Sequence, residues 1–567
     1  MEDKPDDLLQ AISEYDRGET RKMDFLINRL TLADESSIDV ETFMDDCLRH
    51  SDQFSESLAN IICNILYHSK PWYSFNPTTS NKCLLFLVNI ATRLDGFAQH
   101  LLSHLCNVIC SPLSYLSSDN SADIVELSII ALREFFASMP QFEGLFIDCL
   151  CRKISGWGRP APQLFTALAN VLKLCYGSSR LFSDTSTQQL LCVCFNLLSD
   201  IETNTESIAL FSSDIESLFS KLSDPFNPDE LEENKRVILN SLTDKFPSLA
   251  PVFWLLAVSL LKIFPKKKEP ALDKAAKKQE WVQMCAVFQS LRTRFLQFVL
   301  PIQADFVAYP LLLVFMSGLR AGLVVNLVEK LWKFVNDTRQ PVEVRTRCMR
   351  HLADYLALSR HCTTEVVIEQ LHDLAAWCVE YTYFRRGRLS SHLKVMLQEH
   401  TLFYTVFESI VYILTYRQAE LIGTPSGRHA CADLPLVQLI NSPFKPLEAL
   451  EPSLRSHFQA LSFAYKMSWI ATMRPECPVE MDSPPKPSFA CPLSNAIASL
   501  AFASRMNLLN DFVPAKRTFK RPHENGDAHL CSSVPPNGEQ SEDQPISKRK
   551  TPSESRHFNF NALLDLT

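Results

Sequence analysis

Cysteine is the residue type whose number and spacing could support metal or redox chemistry in this chain. Most of the 18 cysteines lie within apolar runs such as "ANIICNIL" and "LLCVCFNLL", where cysteine behaves as a small hydrophobic residue. No CxxC pair occurs, and the close pairs Cys106/Cys110 and Cys149/Cys151 lack a second ligand pair at zinc-finger spacing. The sequence therefore predicts no metal site and no cofactor.

Catalytic motifs are the second place to look for chemistry. The chain has no glycine-rich phosphate loop, no GxSxG nucleophile elbow and no HExxH helix. His351, His361 and His372 are separated by ten and eleven residues, a spacing more typical of chance than of a metal site. Paired carboxylates such as Asp45 and Asp46 lie in no cleft-forming context. We expect a binding or scaffolding protein and not an enzyme.

The elements that would position any functional residue are helices. Only 13 residues are glycine, about 2% against a usual value of roughly 7%, and glycine supplies the turns that hairpins need. The segment "HTLFYTVFESIVYILTYRQAELI" (400–422) has apolar residues at three- and four-residue steps around most of a helix. We predict that it is an inner helix of a solenoid, covered on both sides.

Helices alternate with short polar breaks from Leu8 to about Ala471. Two helices and a turn occupy roughly 40 residues, the period of HEAT and armadillo repeats. The sequence predicts an all-α fold, a HEAT-repeat-like α-solenoid over residues 1–474. Within the repeat at 323–359, Arg345, Arg347 and Arg350 either form a nucleic-acid patch or, as we favour, a solvated face that pairs with residues such as Asp337 or Glu343.

Membrane insertion and global nucleic-acid binding are both disfavoured by composition. The apolar segments 250–265 and 306–328 are interrupted by proline and charge, and so are poor membrane spans. The net charge of −8 offers no overall basic face. The first residues, "MEDKPDD", are acidic where a targeting peptide would be basic. We expect an intracellular protein that does not contact a membrane.

The composition changes towards the C-terminus. Residues 475–513 read as a proline-rich linker with one last helix, and 514–567 as a disordered basic and polar tail. Two basic clusters in the tail are candidate nuclear-import signals: Lys516, Arg517, Lys520 and Arg521, and Lys548, Arg549 and Lys550. Thr551, which precedes Pro552 beside the second cluster, is a candidate phosphorylation site.

Several segments, taken in order, resemble one protein family. They are "EYDRGETRKMDFLINRL" (14–30), "KPWYSF" (70–75), 323–363, "LAAWCVEYT" (374–382), 400–422, "INSPFKPLEALEPSLRSHFQAL" (440–461) and "NLLNDFVPAKRTFKR" (507–521). These segments are similar to the RNA polymerase I-specific transcription initiation factors known as TIF-IA. Because they span nearly the whole chain in the correct order, chance is a poor explanation.

The resemblance implies a HEAT-repeat factor that binds RNA polymerase I near its stalk and bridges it to the promoter-bound core (selectivity) factor on ribosomal DNA. It implies a location in the nucleus and nucleolus, control by protein kinases and phosphatases, and a self-dimer in the inactive form; direct DNA contact stays open. A serine patch that contacts the polymerase is implied for Ser114, Ser117, Ser118, Ser121 and Ser138. The family's Ser-Thr-Pro is here Ser138-Met139-Pro140, so its threonine is missing.

Two other interpretations remain. The main alternative is a HEAT-type nuclear transport carrier or another nuclear scaffold, which would share the solenoid but usually needs more repeats and a strongly acidic inner surface. The third is an unrecognised helical enzyme, which predicts a deep polar pocket with perturbed side chains. Each of the five serines could also be an ordinary loop or cap residue.

Overall fold

The computed structural model describes most of the chain up to residue 467. The described residues are 7–32, 38–110, 121–156, 163–175, 181–203, 249–264, 274–302, 306, 308–385, 390 and 392–467. Within these ranges the ordered elements are helices, and no residue is in a strand. The all-α prediction is therefore confirmed. The linker at 475–513 and the tail at 514–567 lie outside the described residues.

The described chain divides into two compact units, with the boundary between Leu319 and Arg320. The helices of the first unit are α1 (Asp7–Asp16), α2 (Arg21–Leu32), α3 (Ile38–Arg49), α4 (Glu56–Asn64), α5 (Pro77–Arg93), α6 (Asp95–Cys110), α7 (Ser121–Ser138), α8 (Glu143–Ser155), α9 (Gln163–Lys173), α10 (Asp184–Thr203), α11 (Leu249–Ile263), α12 (Lys274–Arg294) and α13 (Ala308–Ser317). Single π-helical turns extend α4 at Ile65–Ser69 and α12 at Phe295–Val299.

The second unit begins with two long helices that form one repeat. Its helices are α14 (Ala321–Asn336), α15 (Val342–Leu358), α16 (Thr364–Arg385), α17 (Leu393–Glu399), α18 (Thr401–Tyr416), α19 (Gln418–Leu421), α20 (Pro425–Ala432), α21 (Leu436–Ile440), α22 (Pro446–Ala449) and α23 (Pro452–Ala464). The described residues contain no helix that is both long enough and apolar enough to cross a membrane.

Local sequence explains where individual helices begin. Asn76 caps α5 by accepting a hydrogen bond from the Thr79 backbone N–H at 2.8 Å, and Pro77 occupies the first turn, where its missing N–H costs nothing. Thr424 caps α20 in the same way, accepting from Gly427 N–H at 3.1 Å. Turn residues therefore set the helix starts, as the polar breaks in the sequence indicate.

Packing in the first unit follows a repeating order. Helix α5 packs against α3, α6 and α7; α6 packs against α8, α8 against α10, and α10 against α12. Each of these helices buries an apolar stripe against a neighbour one or two positions away in the chain, which is the arrangement of helical repeats.

Helix α18 forms the centre of the second unit. Every residue from Leu402 to Thr415 is buried, and the helix contacts α15, α16 and α23. A helix that is apolar on all sides must be covered on all sides. The prediction that 400–422 contains a covered inner helix is confirmed.

Candidate functional site

The predicted serine patch is only partly within the described chain. Ser121 is the first residue of α7 and Ser138 is the last. At 1.5 Å per residue, the two ends of this helix are roughly 25 Å apart, so the two serines mark separate places on the molecule. The remaining predicted positions, Ser114, Ser117 and Ser118, lie outside the described residues, as do Lys516, Arg517, Lys520, Arg521, Lys548, Arg549, Lys550 and Thr551.

Ser138 is exposed at the C-terminal end of α7. Its hydroxyl donates to the Glu134 carbonyl at 3.4 Å, and the chain then turns through Met139 into the short 3-10 helix Pro140–Phe142. The C-terminus of a helix carries partial negative charge, and the Glu134 side chain is exposed one turn away. A phosphate on Ser138 would therefore sit in an unfavourable field and loosen the last turn.

Five phenylalanine rings pack beside the Ser138 turn. Phe135 contacts Phe142 with ring centroids 5.8 Å apart, Phe136 contacts Phe146 at 5.9 Å, and Phe146 contacts Phe182 at 6.2 Å. These contacts link the end of α7 to α8 and to Phe182, two residues before α10 begins. The last turn of α7 is therefore in packing contact with α8, and through Phe146 with the segment that precedes α10.

Ser183, which lies directly before α10, is held by a carboxylate. Its backbone N–H and its hydroxyl both donate to Glu143 Oε1, at 2.8 Å and 2.7 Å. Partial burial by itself would raise the pKa of the Glu143 carboxyl, but hydrogen bonds from Ser186 and Ser183 outweigh it and lower the pKa. The polar residues from 183 to 189 indicate a break between helices, but the sequence pattern does not show that Ser183 pairs with Glu143, 40 residues earlier.

Two of the three arginines of α15, Arg345 and Arg350, do not belong to a solvated face. Arg345 Nε donates to the Val335 carbonyl at 2.6 Å and so satisfies the end of α14, and burial lowers the pKa of both Arg345 and Arg350. The expected partner Asp337 pairs instead with the exposed Arg339 at 2.9 Å. For Arg345 and Arg350 the solvated-face interpretation is wrong, because both side chains are half-buried.

The part of the chain that contains the described helices matches a known protein family. A family model described as "RNA polymerase I specific transcription initiation factor RRN3" matches residues 6–474. The chain belongs to this family. The mouse (Mus musculus) RNA polymerase I-specific transcription initiation factor RRN3 is 19% identical over 496 residues, which cover 82% of this chain and 72% of the mouse protein.

A solved structure shares the fold of this RRN3-family chain. The crystal structure of RNA polymerase I transcription initiation factor Rrn3 superposes with a TM-score of 0.59 and 14% identity, covering 90% of this chain and 94% of that one. The predicted family and the predicted HEAT-repeat-like α-solenoid are confirmed. The chain is thus an RNA polymerase I-specific initiation factor of the RRN3 family.

His372, one of the three histidines considered for metal binding in this RRN3-family chain, has a structural role. His372 Nε2 lies 3.2 Å from the Ala430 carbonyl, where it ties α16 to α20. Among the described residues, no group of three or more histidine, cysteine or acidic side chains is arranged to hold a metal ion. The described cysteines are free thiols, most of them buried, in keeping with their place in apolar runs.

Proposed function

We propose that this protein binds RNA polymerase I near its stalk and bridges it to the promoter-bound core factor for ribosomal RNA gene transcription. The match of the RRN3 family model over residues 6–474 carries the proposal. The two helical units provide the kind of extended surface that repeat proteins use for partners. We propose that its role is binding and not catalysis, and that it works in the nucleus and nucleolus.

We further propose that protein kinases and phosphatases control the polymerase contact through serines on α7. Ser138 supports this role because it is exposed and its neighbourhood already carries negative charge. A phosphate adds roughly two negative charges, which would repel an acidic partner surface or open a close contact. A self-dimer in the inactive form belongs to the same proposal.

The experiment is affinity capture of the tagged full chain from nuclear extract, with and without phosphatase, followed by quantification of polymerase subunits. The proposal expects RNA polymerase I and core-factor subunits, in amounts that change with phosphatase treatment. Recovery of transport cargo and a small GTPase without polymerase would support the transport-carrier alternative instead. The family match favours the first outcome.

A further inference from the structure

A groove between two parallel helices of the first unit is lined by side-chain amides. Helices α10 and α12 run in the same direction: Gln279 Nε2 donates to Asp184 Oδ2 at 2.9 Å near their starts, and Arg294 Nη2 donates to Asp200 Oδ1 at 3.0 Å near their ends. Between these contacts the helices leave an open groove of about 530 Å³.

The polar side chains of the groove are arranged in rows. Gln289 and Thr293 on α12 and Gln297 on the π-helical turn that extends it follow at four-residue steps and line the same groove, with a rise of about 6 Å between them. On α10, Gln188 and Asn196 face them from the other side. An extended peptide repeats every two residues at about 6.6 Å, which is close to the step of the α12 row.

Most of these groups have no partner within the described chain. Gln188 Nε2 is used, since it donates to Ser290 Oγ at 3.2 Å. The side chains of Asn196, Gln289, Thr293 and Gln297 make no hydrogen bond to any other described residue. A carboxamide offers both a donor and an acceptor, which is the pair of functions that a peptide N–H and C=O require.

One end of the groove adds charge and an aromatic ring. The guanidinium of Arg294 lies 4.2 Å from the ring centroid of Phe298, which is 49% exposed on the π-helical turn. Arg294 donates hydrogen bonds from Nε and Nη2 to Ser199 Oγ and from Nη2 to Asp200 Oδ1. Its Nη1 makes no hydrogen bond to either residue. Arg294 is the one charged residue among the described residues that line the groove.

We propose that this groove binds an extended peptide segment of a partner protein, with an acidic side chain at Arg294 and an apolar side chain on Phe298. The amide rows recognise the peptide backbone, and Nη1 of Arg294, which the ion pair with Asp200 leaves unused, donates to the acidic residue. Nucleic acid fits the groove less well, because its phosphates call for several cations along the path.

The test uses overlapping 15-residue synthetic peptides that cover the subunits of RNA polymerase I and the core factor. This choice of peptides rests on the proposed function. The full chain is screened against them, and positive peptides are measured by fluorescence anisotropy. We expect binding peptides to contain an acidic residue beside an apolar one. The double variant Gln289→Ala/Gln297→Ala should weaken them at least tenfold, whereas the matched surface variant Gln398→Ala/Gln438→Ala should not.

Charge reversal provides the second measurement. Arg294→Glu should weaken acidic peptides at least tenfold, and replacing the acidic residue of the peptide by lysine should restore binding to this variant. Absence of any peptide binding, equal binding by the groove variants, or groove-dependent binding of a labelled 20-nucleotide RNA instead of peptides would overturn the proposal. Capture of polymerase without peptide binding would leave the proposed function standing, and groove-dependent peptide binding without polymerase capture would reject the proposed function alone.

Discussion

At the residue scale, Glu202 shows how a single buried carboxylate joins distant segments. Its side chain is 6% exposed; Oε1 accepts from Ala308 N–H at 2.7 Å and Oε2 from Tyr309 N–H at 3.0 Å. Tyr309 in turn donates its hydroxyl to the Leu291 carbonyl at 3.1 Å. The first turn of α13 is thus held by the end of α10, more than 100 residues earlier in the chain.

Glu202→Gln should lower the free energy of unfolding by about 2 kcal/mol, because a glutamine oxygen replaces only one of two charged acceptors and leaves a buried N–H unpaired. Urea unfolding of the full chain measures this value. Glu19→Gln, at an exposed position, is the matched control and should stay within about 0.5 kcal/mol of the wild type. Equal stability of the two variants would contradict the capping role.

A second prediction at the residue scale concerns His104 and the pH dependence of stability. Trp72 Nε1 donates to His104 Nε2 at 3.1 Å, so this nitrogen must be unprotonated. Burial, with a smaller contribution from nearby His68, lowers the pKa of His104 to about 4 from 6.5. Because the folded pKa is depressed, the unfolded chain binds more protons between pH 6.5 and 4, and stability falls as the pH falls through that window.

The loss from His104 alone should reach about 3 kcal/mol at the acid end of the window. His104→Gln keeps an acceptor for the indole and removes the titration, so its stability should fall less between pH 7 and pH 4.5. His351, whose pKa burial also lowers to about 4, keeps its own contribution in both proteins. Urea unfolding at several pH values measures the difference, and parallel pH profiles of wild type and variant would contradict the assignment.

At the element scale, α18 depends on its aromatic contacts. Phe403 is fully buried, stacks on Tyr381 at a centroid distance of 5.4 Å and lies 4.8 Å from the ring of Phe444. Phe403→Ala should lower the free energy of unfolding by about 3–5 kcal/mol, through lost burial and the cavity left behind. Phe463→Ala on α23, at a side chain that is 38% exposed, should cost clearly less in the same urea titration. Similar losses for both would contradict the central role of α18.

The C-terminal end of α7 gives the element-scale test of regulation. Ser138→Asp should weaken binding of the chain to RNA polymerase I several-fold, because it adds negative charge at a helix C-terminus, and Ser138→Ala should bind as the wild type does. Ser426→Asp, exposed in the first turn of α20, is the charge-matched control. Binding measured by biolayer interferometry that is equal for Ser138→Asp and Ser426→Asp would remove Ser138 from the regulatory proposal.

The positions of helices, and which of them are buried, could be predicted from sequence where the pattern lies within one short segment. The spacing of the apolar residues in α18 is enough to indicate a covered helix, and the polar residues Asn76 and Thr424 mark helix starts. Arg417 could not be placed in this way: it is 1% exposed and donates to the backbone carbonyls of Ser359 and Cys362. Those acceptors lie more than 50 residues upstream, so only the packing of α18 against the end of α15 reveals its role.

At the scale of the whole molecule, the order of family-like segments predicted the RRN3 family and the solenoid fold, because such resemblance sums weak signals over hundreds of residues. The division at Leu319 and Arg320 was not predicted, since a single charged residue within the largely apolar segment 306–328 does not mark a boundary between units. The groove between α10 and α12 was also not predicted, because its amide side chains, such as Asn196 and Gln289, become neighbours only after folding.

The central proposal is that this chain binds RNA polymerase I. The most direct measurement is equilibrium binding of the purified full chain to purified RNA polymerase I and, in parallel, to RNA polymerase II from the same source. We predict a saturable complex with RNA polymerase I and at least tenfold weaker binding to RNA polymerase II. No complex with RNA polymerase I, or equal affinity for both enzymes, would contradict the claim.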